Sequence, residues 1–413
     1  MSTGVETFVE ERLLPCKERK VAFRDSLKRN KYLTFSSLFE VQQSDTTTGR
    51  RKTIKADRNI LQRVIAAYEA GRVVNLDRIL THKLFVVPLA LAKVNGQLRT
   101  GSKAVLADVL TADVECPDRV EATDLGDAAT LIIDGQALVI AIGKPKTAST
   151  FGDFADVFIE TVLQSGTPFK RIDVLFDRYY DTSIKSGTRK RRMKHTVAVR
   201  RPVDNRDVPL PAKWDNFMAH KDNKSDLARF LSQQLILHAP PHKTIVTSGG
   251  FSNEERVESS EPAVYVKSLE AKHEEADTRT ILHCVRSTAS RIVVSARDTD
   301  LFVMLIAFFN MIMCKKVWMK AGTPKRRKFI PVHYIVDKLQ MDTDVLQLMP
   351  GFHALTGSDT TSYIAGHSKK TWFSVFKEHH YMLRGLGDSP TLSDETVQNA
   401  EAFICKVYDG TQQ

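Results

Sequence analysis

Ile292-Val-Val-Ser-Ala-Arg-Asp298-Thr-Asp300, followed by the apolar run Leu301 to Met313, passes from a β-type stretch to two carboxylates and then to helical spacing. A short β-branched run reads as a buried strand, and an acid at its carboxyl end, just before a helix, faces the crevice where open α/β sheets bind ligands. The same grammar recurs upstream. Leu131-Ile-Ile133 runs into Asp134-Gly135, and Ile172-Asp-Val-Leu-Phe176 runs into Asp177. His273-Glu-Glu-Ala-Asp-Thr-Arg279 precedes Ile281, Leu282 and Val285 at helical spacing. Glu275 and Asp277, at i and i+2, do not share a helix face, so the pair is expected to straddle a helix start. Asp359 stands in the turn-forming segment Leu355-Thr-Gly-Ser-Asp-Thr-Thr-Ser362.

Each acid alone has a plain explanation as a helix N-cap, a role that contributes about 0.5–2 kcal/mol. Taken together, seven acids at strand ends in a strand–helix alternation exceed what capping asks for. Carboxylates brought to one point raise one another's pKa unless cations neutralise them, which outlines a divalent-metal site. The alternation itself predicts an α/β fold with a mainly parallel central sheet flanked by helices. Strands are expected at 129–133, 171–176, 291–295 and near Lys316 to Met319; helices are expected near 153–165, 223–237, 275–288, 301–313 and 331–340.

In order and context these motifs resemble the PIN-like nuclease superfamily, in its flap-endonuclease or XPG-like branch, over about residues 128–375. The resemblance implies that Asp134, Asp177, Glu275, Asp277, Asp298, Asp300 and Asp359 are metal ligands for two Mg²⁺ or Mn²⁺ ions. It implies Asp134, Asp177, Glu275 and Asp277 around one ion, and Asp298, Asp300 and Asp359 around the other. Two ions about 3.5–4 Å apart orient a water for in-line attack and stabilise the leaving oxygen of a phosphodiester. Lys185 and Arg192 keep the family's seven-residue spacing and are implied to stabilise charge on the scissile phosphate. Gly366-His-Ser-Lys-Lys370 takes the place of a loop that grips duplex backbone, with Gly366, Lys369 and Lys370 as phosphate contacts. The chain departs from the family at Arg178, which replaces a glycine, at Asp277 for glutamate, at Ser358 for cysteine and at Ser368 for the loop's second glycine. No departure removes a carboxylate.

Sixty Lys and Arg against 49 Asp and Glu leave a net charge of +11, a balance that favours polyanionic partners and reads equally as a solubilising surface. Eight Lys or Arg and no acid fall within residues 185–201, including Arg189-Lys-Arg-Arg192. Arg189, Lys190 and Arg191 are accordingly candidate nucleic-acid contacts. A second block is Lys325-Arg-Arg-Lys328. Either block also reads as a solvated loop or a nuclear-import signal.

Cysteines at 16, 116, 284, 314 and 405 form no CxxC pair, so neither a disulfide framework nor zinc is expected and the compartment reads as intracellular. Met1 to Lys20 lacks the apolar core of a signal peptide. Leu301 to Met313, at thirteen residues, is short of the ~20 needed to cross a bilayer, so no membrane partner is expected. The organisation expected is a helical N-terminal region over 1–125, a nuclease domain over 126–380 with an insertion at about 195–264, and a helical tail over 381–413. The competing reading is a non-catalytic nucleic-acid-binding or scaffold protein that retains the fold.

Overall fold

The computed structural model describes residues 65–72, 88–93, 97–120, 129–179, 197–323, 326–359 and 361–409. Two compact units are present, Met1–Gly101 with Asp359–His367, and Ser102–Ser358 with Ser368–Gln413. In the first, residues 65–69 are helical. Ala92 bridges Leu98 and Thr100 bridges Ser362, while Arg99 Nε donates to the Leu89 carbonyl at 2.8 Å. Most of the region expected to be helical over 1–125 lies outside the described residues.

The second unit carries the sheet. It opens with α1 (Ala104–Thr111) and continues through β1 (Ala129–Asp134), α2 (Gly135–Ile142), α3 (Phe151–Ser165), β2 (Arg171–Leu175), α4 (Lys221–Leu237), β3 (Thr244–Ser248) and β4 (Val257–Ser259). Then come α5 (Ala276–Val285), β5 (Arg291–Ser295), α6 (Thr299–Ala307), β6 (Lys316–Thr323), β7 (Arg326–Pro331), α7 (Val332–Leu339), α8 (Met349–Leu355), α9 (Lys369–His379) and α10 (Asp394–Asp409). The seven strands lie in the order β4-β3-β2-β1-β5-β6-β7. Strands β1, β2, β3, β5 and β6 pair in parallel, and β4 and β7 close the two edges antiparallel. The fold is α/β with a mainly parallel sheet.

Local chemistry explains the elements. β1, Ala-Thr-Leu-Ile-Ile-Asp, is buried along its length up to its last residue, as a parallel strand covered on both faces should be. α3 starts on a capping box in which Thr150 and Asp153 each satisfy the other's backbone N–H. Its Phe151, Phe154 and Phe158 are fully buried, and Phe151 meets Phe217 at a centroid distance of 5.2 Å. Each such aromatic brings a large apolar area out of water, the dominant favourable term in folding.

Several features go beyond the sequence expectations. The segment read as an insertion supplies β3 and β4, because Thr244-Ile-Val-Thr-Ser248 is a β-branched run that pairs with β2 from Arg171↔Thr244 to Leu175↔Ser248. The apolar stretch after Asp134-Gly135 forms α2, and the second basic block begins β7 of an edge hairpin. The C-terminal helix is part of the compact unit: Phe403 is fully buried and meets Trp372 of α9 at 6.0 Å and Phe352 of α8 at 6.4 Å.

Candidate metal centre

The chain lays β2 and β3 on one side of β1, then β5 and β6 on the other. That reversal makes the carboxyl ends of β1 and β5 the switch point at which doubly wound sheets take ligands. Asp134 ends β1, and its carboxylate accepts from Ala137 N–H at 2.9 Å as the N-cap of α2. Asp298 caps α6, its Oδ1 accepting from Asp300 N–H at 2.9 Å. Asp177 follows β2 and reaches across the chain, its Oδ1 accepting from Ala276 N–H, the first residue of α5, at 2.8 Å. The Arg178 N–H to Glu274 carbonyl bond at 2.7 Å fixes the same junction. Glu275 is the N-cap of α5 and Asp277 lies in its first turn, so the pair does straddle a helix start. Three helix N-termini thus carry acids at the carboxyl-end side of the sheet, and their dipoles favour negative charge there.

Electrostatics shows which acids share one neighbourhood. Burial pushes the Asp134 carboxyl from 3.8 up to about 6, with further upward pressure from the Asp177 and Asp298 carboxylates against the opposing bonds from Ala137 and Gln136. Close packing of the turns enforces this. A Cβ on Gly135 would stand 2.6 Å from the Phe176 ring, and one on Gly249, at φ +83°, would collide with the Phe176 carbonyl. Only glycine lets the Asp134 turn and the end of β2 approach so closely.

Asp300 sits in the opposite electrical setting. Burial acts to raise its carboxyl, but the bond from His353 and the charge of Lys103 outweigh burial and hold it at about 2. His353 Nε2 lies 2.9 Å from Asp300 Oδ1. Lys103 Nζ lies 2.5 Å from Asp298 Oδ1 and 3.3 Å from Asp300 Oδ2. Behind His353, Lys369 Nζ is 2.8 Å from His353 Nδ1. Lys369, expected at a nucleic-acid backbone, is therefore turned inward at 7% exposure; burial, with Lys103 adding to it against the pull of Asp300, brings its ammonium down to about 8. Lys370 beside it is exposed. Ser368, at the loop's second-glycine position, caps α9 by accepting from Thr371 N–H.

A second buried network braces the centre. Asp173 of β2 takes a two-pronged contact from Arg171 at 2.7 and 2.8 Å and pairs with His283 Nδ1 of α5 at 2.7 Å. His283 Nε2 in turn lies 3.3 Å from Ser248 Oγ of β3. Despite its Ser-His-Asp order this set is inaccessible, with His283 and Asp173 each 1% exposed. Burial opposes ionisation of Asp173, yet His283 and Arg171 hold its carboxyl below the ordinary range. His283 thus pins α5, whose first N–H, that of Ala276, bonds Asp177, to β2 and β3.

Asp359 and Gly366 belong to the first unit. Lys185, Arg189, Lys190, Arg191 and Arg192 lie outside the described residues. Neither Lys103 nor the Asp173–His283 pair was marked by any motif; the Asp-Gly and Asp-x-Asp signals locate the carboxylates and are silent on their counter-charges. A larger cavity of about 390 Å³, lined by residues of α1, α7 and α9, has none of these carboxylates in its wall. Among the described residues no helix is long and apolar enough to cross a membrane.

No protein-family model and no curated protein matches the chain. Among solved structures, the chain is similar to a flap endonuclease. That protein, from bacteriophage T5 in a complex with DNA and metal ions, is 12% identical with a TM-score of 0.37, over 68% of this chain and 86% of its own. The catalytic core of Rad2 with DNA substrate is 13% identical with a TM-score of 0.36, over 74% and 84%. Human GEN1 in complex with Holliday junction DNA is 12% identical with a TM-score of 0.37, over 75% and 63%.

Proposed function

We propose that this protein is a divalent-metal-dependent nuclease acting on phosphodiester bonds of nucleic acid. The observation that carries the reading is the placement of Asp134, Asp177 and Asp298 after the neighbouring strands β1, β2 and β5 at the sheet's switch point, where burial, and after it the charges of Asp177 and Asp298, push Asp134 up to about 6. The donor set fits Mg²⁺ or Mn²⁺: oxygen donors alone, with no thiolate or imidazole in that trio, suit hard cations. A divalent ion bound there supplies Lewis acidity toward the phosphate and lowers the pKa of its water.

The chain's own residues prepare that chemistry. Asp134 and Asp298 are held at fixed helix starts by their capping bonds, so they need no rearrangement to present carboxylate oxygens. Asp177 is fixed by Ala276 N–H, which also sets where Glu275 and Asp277 stand. His353 and Lys103 keep Asp300 ionised. In this proposal Lys185 and Arg192 bear on the scissile phosphate. Arg189, Lys190, Arg191 and Lys370 meet the backbone elsewhere, and the basic 185–201 segment raises the local concentration of polyanion.

The test is a panel of labelled single-stranded, flapped and duplex DNA and RNA incubated with Mn²⁺ or Mg²⁺. Cleavage that is abolished by EDTA and by Asp177→Asn, in a protein that still binds nucleic acid, is expected. Binding without cleavage in either metal points to the non-catalytic alternative. Cleavage unaffected by Asp177→Asn refutes the assignment of the site.

A further inference from the structure

The motifs imply two ions, yet the Asp298–Asp300 pair already has a cation. Lys103 Nζ lies between the two carboxylates, at 2.5 Å from one and 3.3 Å from the other. The lysine is placed there by the fold. It is the N-cap of α1, and α1 packs on both α6, which carries the acids, and α9. α9 in turn contributes Lys369, which bonds His353, which bonds Asp300. Asp300 is thus addressed on one oxygen by His353 and on the other by Lys103. By contrast, Asp134 and Asp177 receive backbone N–H bonds.

Resting on the metal-site reading above, we propose that Lys103 is the resident counter-cation of Asp298 and Asp300 and stands in place of the second divalent ion, so that the centre holds one metal ion and one ammonium. A divalent ion entering beside Asp300 has to displace Lys103 or bear its repulsion at contact distance, where screening by salt is weak. One entering at Asp134 and Asp177 meets carboxylates whose bonds come from the backbone N–H groups of Ala137 and Ala276. The two positions are therefore unequal by construction. Lys103 is a positioning residue with respect to the metal, and its ammonium also lies where a phosphate oxygen drawn to the centre would gain a charge-assisted donor.

Mn²⁺ binding by the full chain, followed by electron paramagnetic resonance of the free ion, reads this without reference to activity. The wild-type protein is expected to take up one Mn²⁺ per chain in its tight class. Lys103→Met, which removes the charge and keeps the length, is expected to take up a second, with affinity improved by about tenfold or more, the scale of a single charge-assisted bond. Lys103→Arg is expected to bind as wild type does, which separates charge from packing. Two ions of equal affinity in the wild-type protein overturn the proposal, whether or not the variants fold. An isotherm unchanged by Lys103→Met, in a protein with unaltered circular dichroism, overturns it as well, and both results leave the metal site standing. No bound Mn²⁺ in any of the three proteins overturns the metal-site reading itself, and this proposal with it.

Discussion

Replacing Asp134 by Asn should stabilise the metal-free protein while weakening its metal response. Asn keeps the side-chain oxygen that caps α2 through Ala137 and removes the charge that burial chiefly, and then the charges of Asp177 and Asp298, penalise. The folded-state pKa of Asp134, about 6, lies above the ordinary 3.8, so between those values the native state holds the proton more tightly than the unfolded chain. Stability therefore falls as pH rises through that window, and above it the ionised carboxylate leaves a constant penalty. Each pH unit of the gap corresponds to roughly 1.4 kcal/mol, which makes the penalty about 3 kcal/mol at neutral pH. Thermal melting in EDTA at pH 7.5 should place Asp134→Asn several degrees above wild type, with the difference shrinking toward zero near pH 4. Addition of Mn²⁺ at about a hundred times its dissociation constant should raise wild type by the equivalent of about 2.7 kcal/mol and the variant by much less. A variant that melts below wild type in EDTA at pH 7.5, or that gains as much from Mn²⁺, refutes the reasoning.

Other perturbations follow from the same geometry. His283→Ala leaves Asp173 buried with Arg171 as its remaining partner and should cost about 3 kcal/mol, the lower end for a broken buried pair, read by urea denaturation. Gly249→Ala forces a Cβ into the Phe176 carbonyl at a positive φ; a destabilisation of about 1–3 kcal/mol is expected, and a neutral result would show that the junction between β2 and β3 is looser than described. Neutralising Arg189, Lys190, Arg191 and Arg192 together should weaken binding to all sequences alike and flatten its salt dependence by roughly 0.7–0.9 for each phosphate no longer neutralised, measured by anisotropy across salt concentrations.

The order of amino acids was sufficient wherever the chemistry is local. Ile292 to Ser295 is a strand because β-branched residues suit a pleated, covered surface, and Asp298 ends it because a short acid caps the helix that Leu301 to Ala307 must form. Asp134-Gly135 follows the same rule, and Glu275 with Asp277 marks a helix start because i, i+2 residues face apart. From those fragments the α/β class and the position of the acids at strand ends were legible. Which charges meet was settled only by the folded chain. Lys103 lies 195 residues before Asp298, His283 110 after Asp173 and His353 53 after Asp300, and no periodicity reaches across such distances. β3 was hidden inside a supposed insertion for a related reason: a strand acquires its partner only when the sheet order is set, and Thr244 to Ser248 carries no mark of pairing with β2. Strand order placed Asp134 beside Asp177 and Asp298, and the packing of α1 on α6 aimed an ammonium at the acids of α6. Elements are encoded by neighbours a few residues apart, whereas the balance of charge at the centre is a product of chain crossings that bury distant residues together.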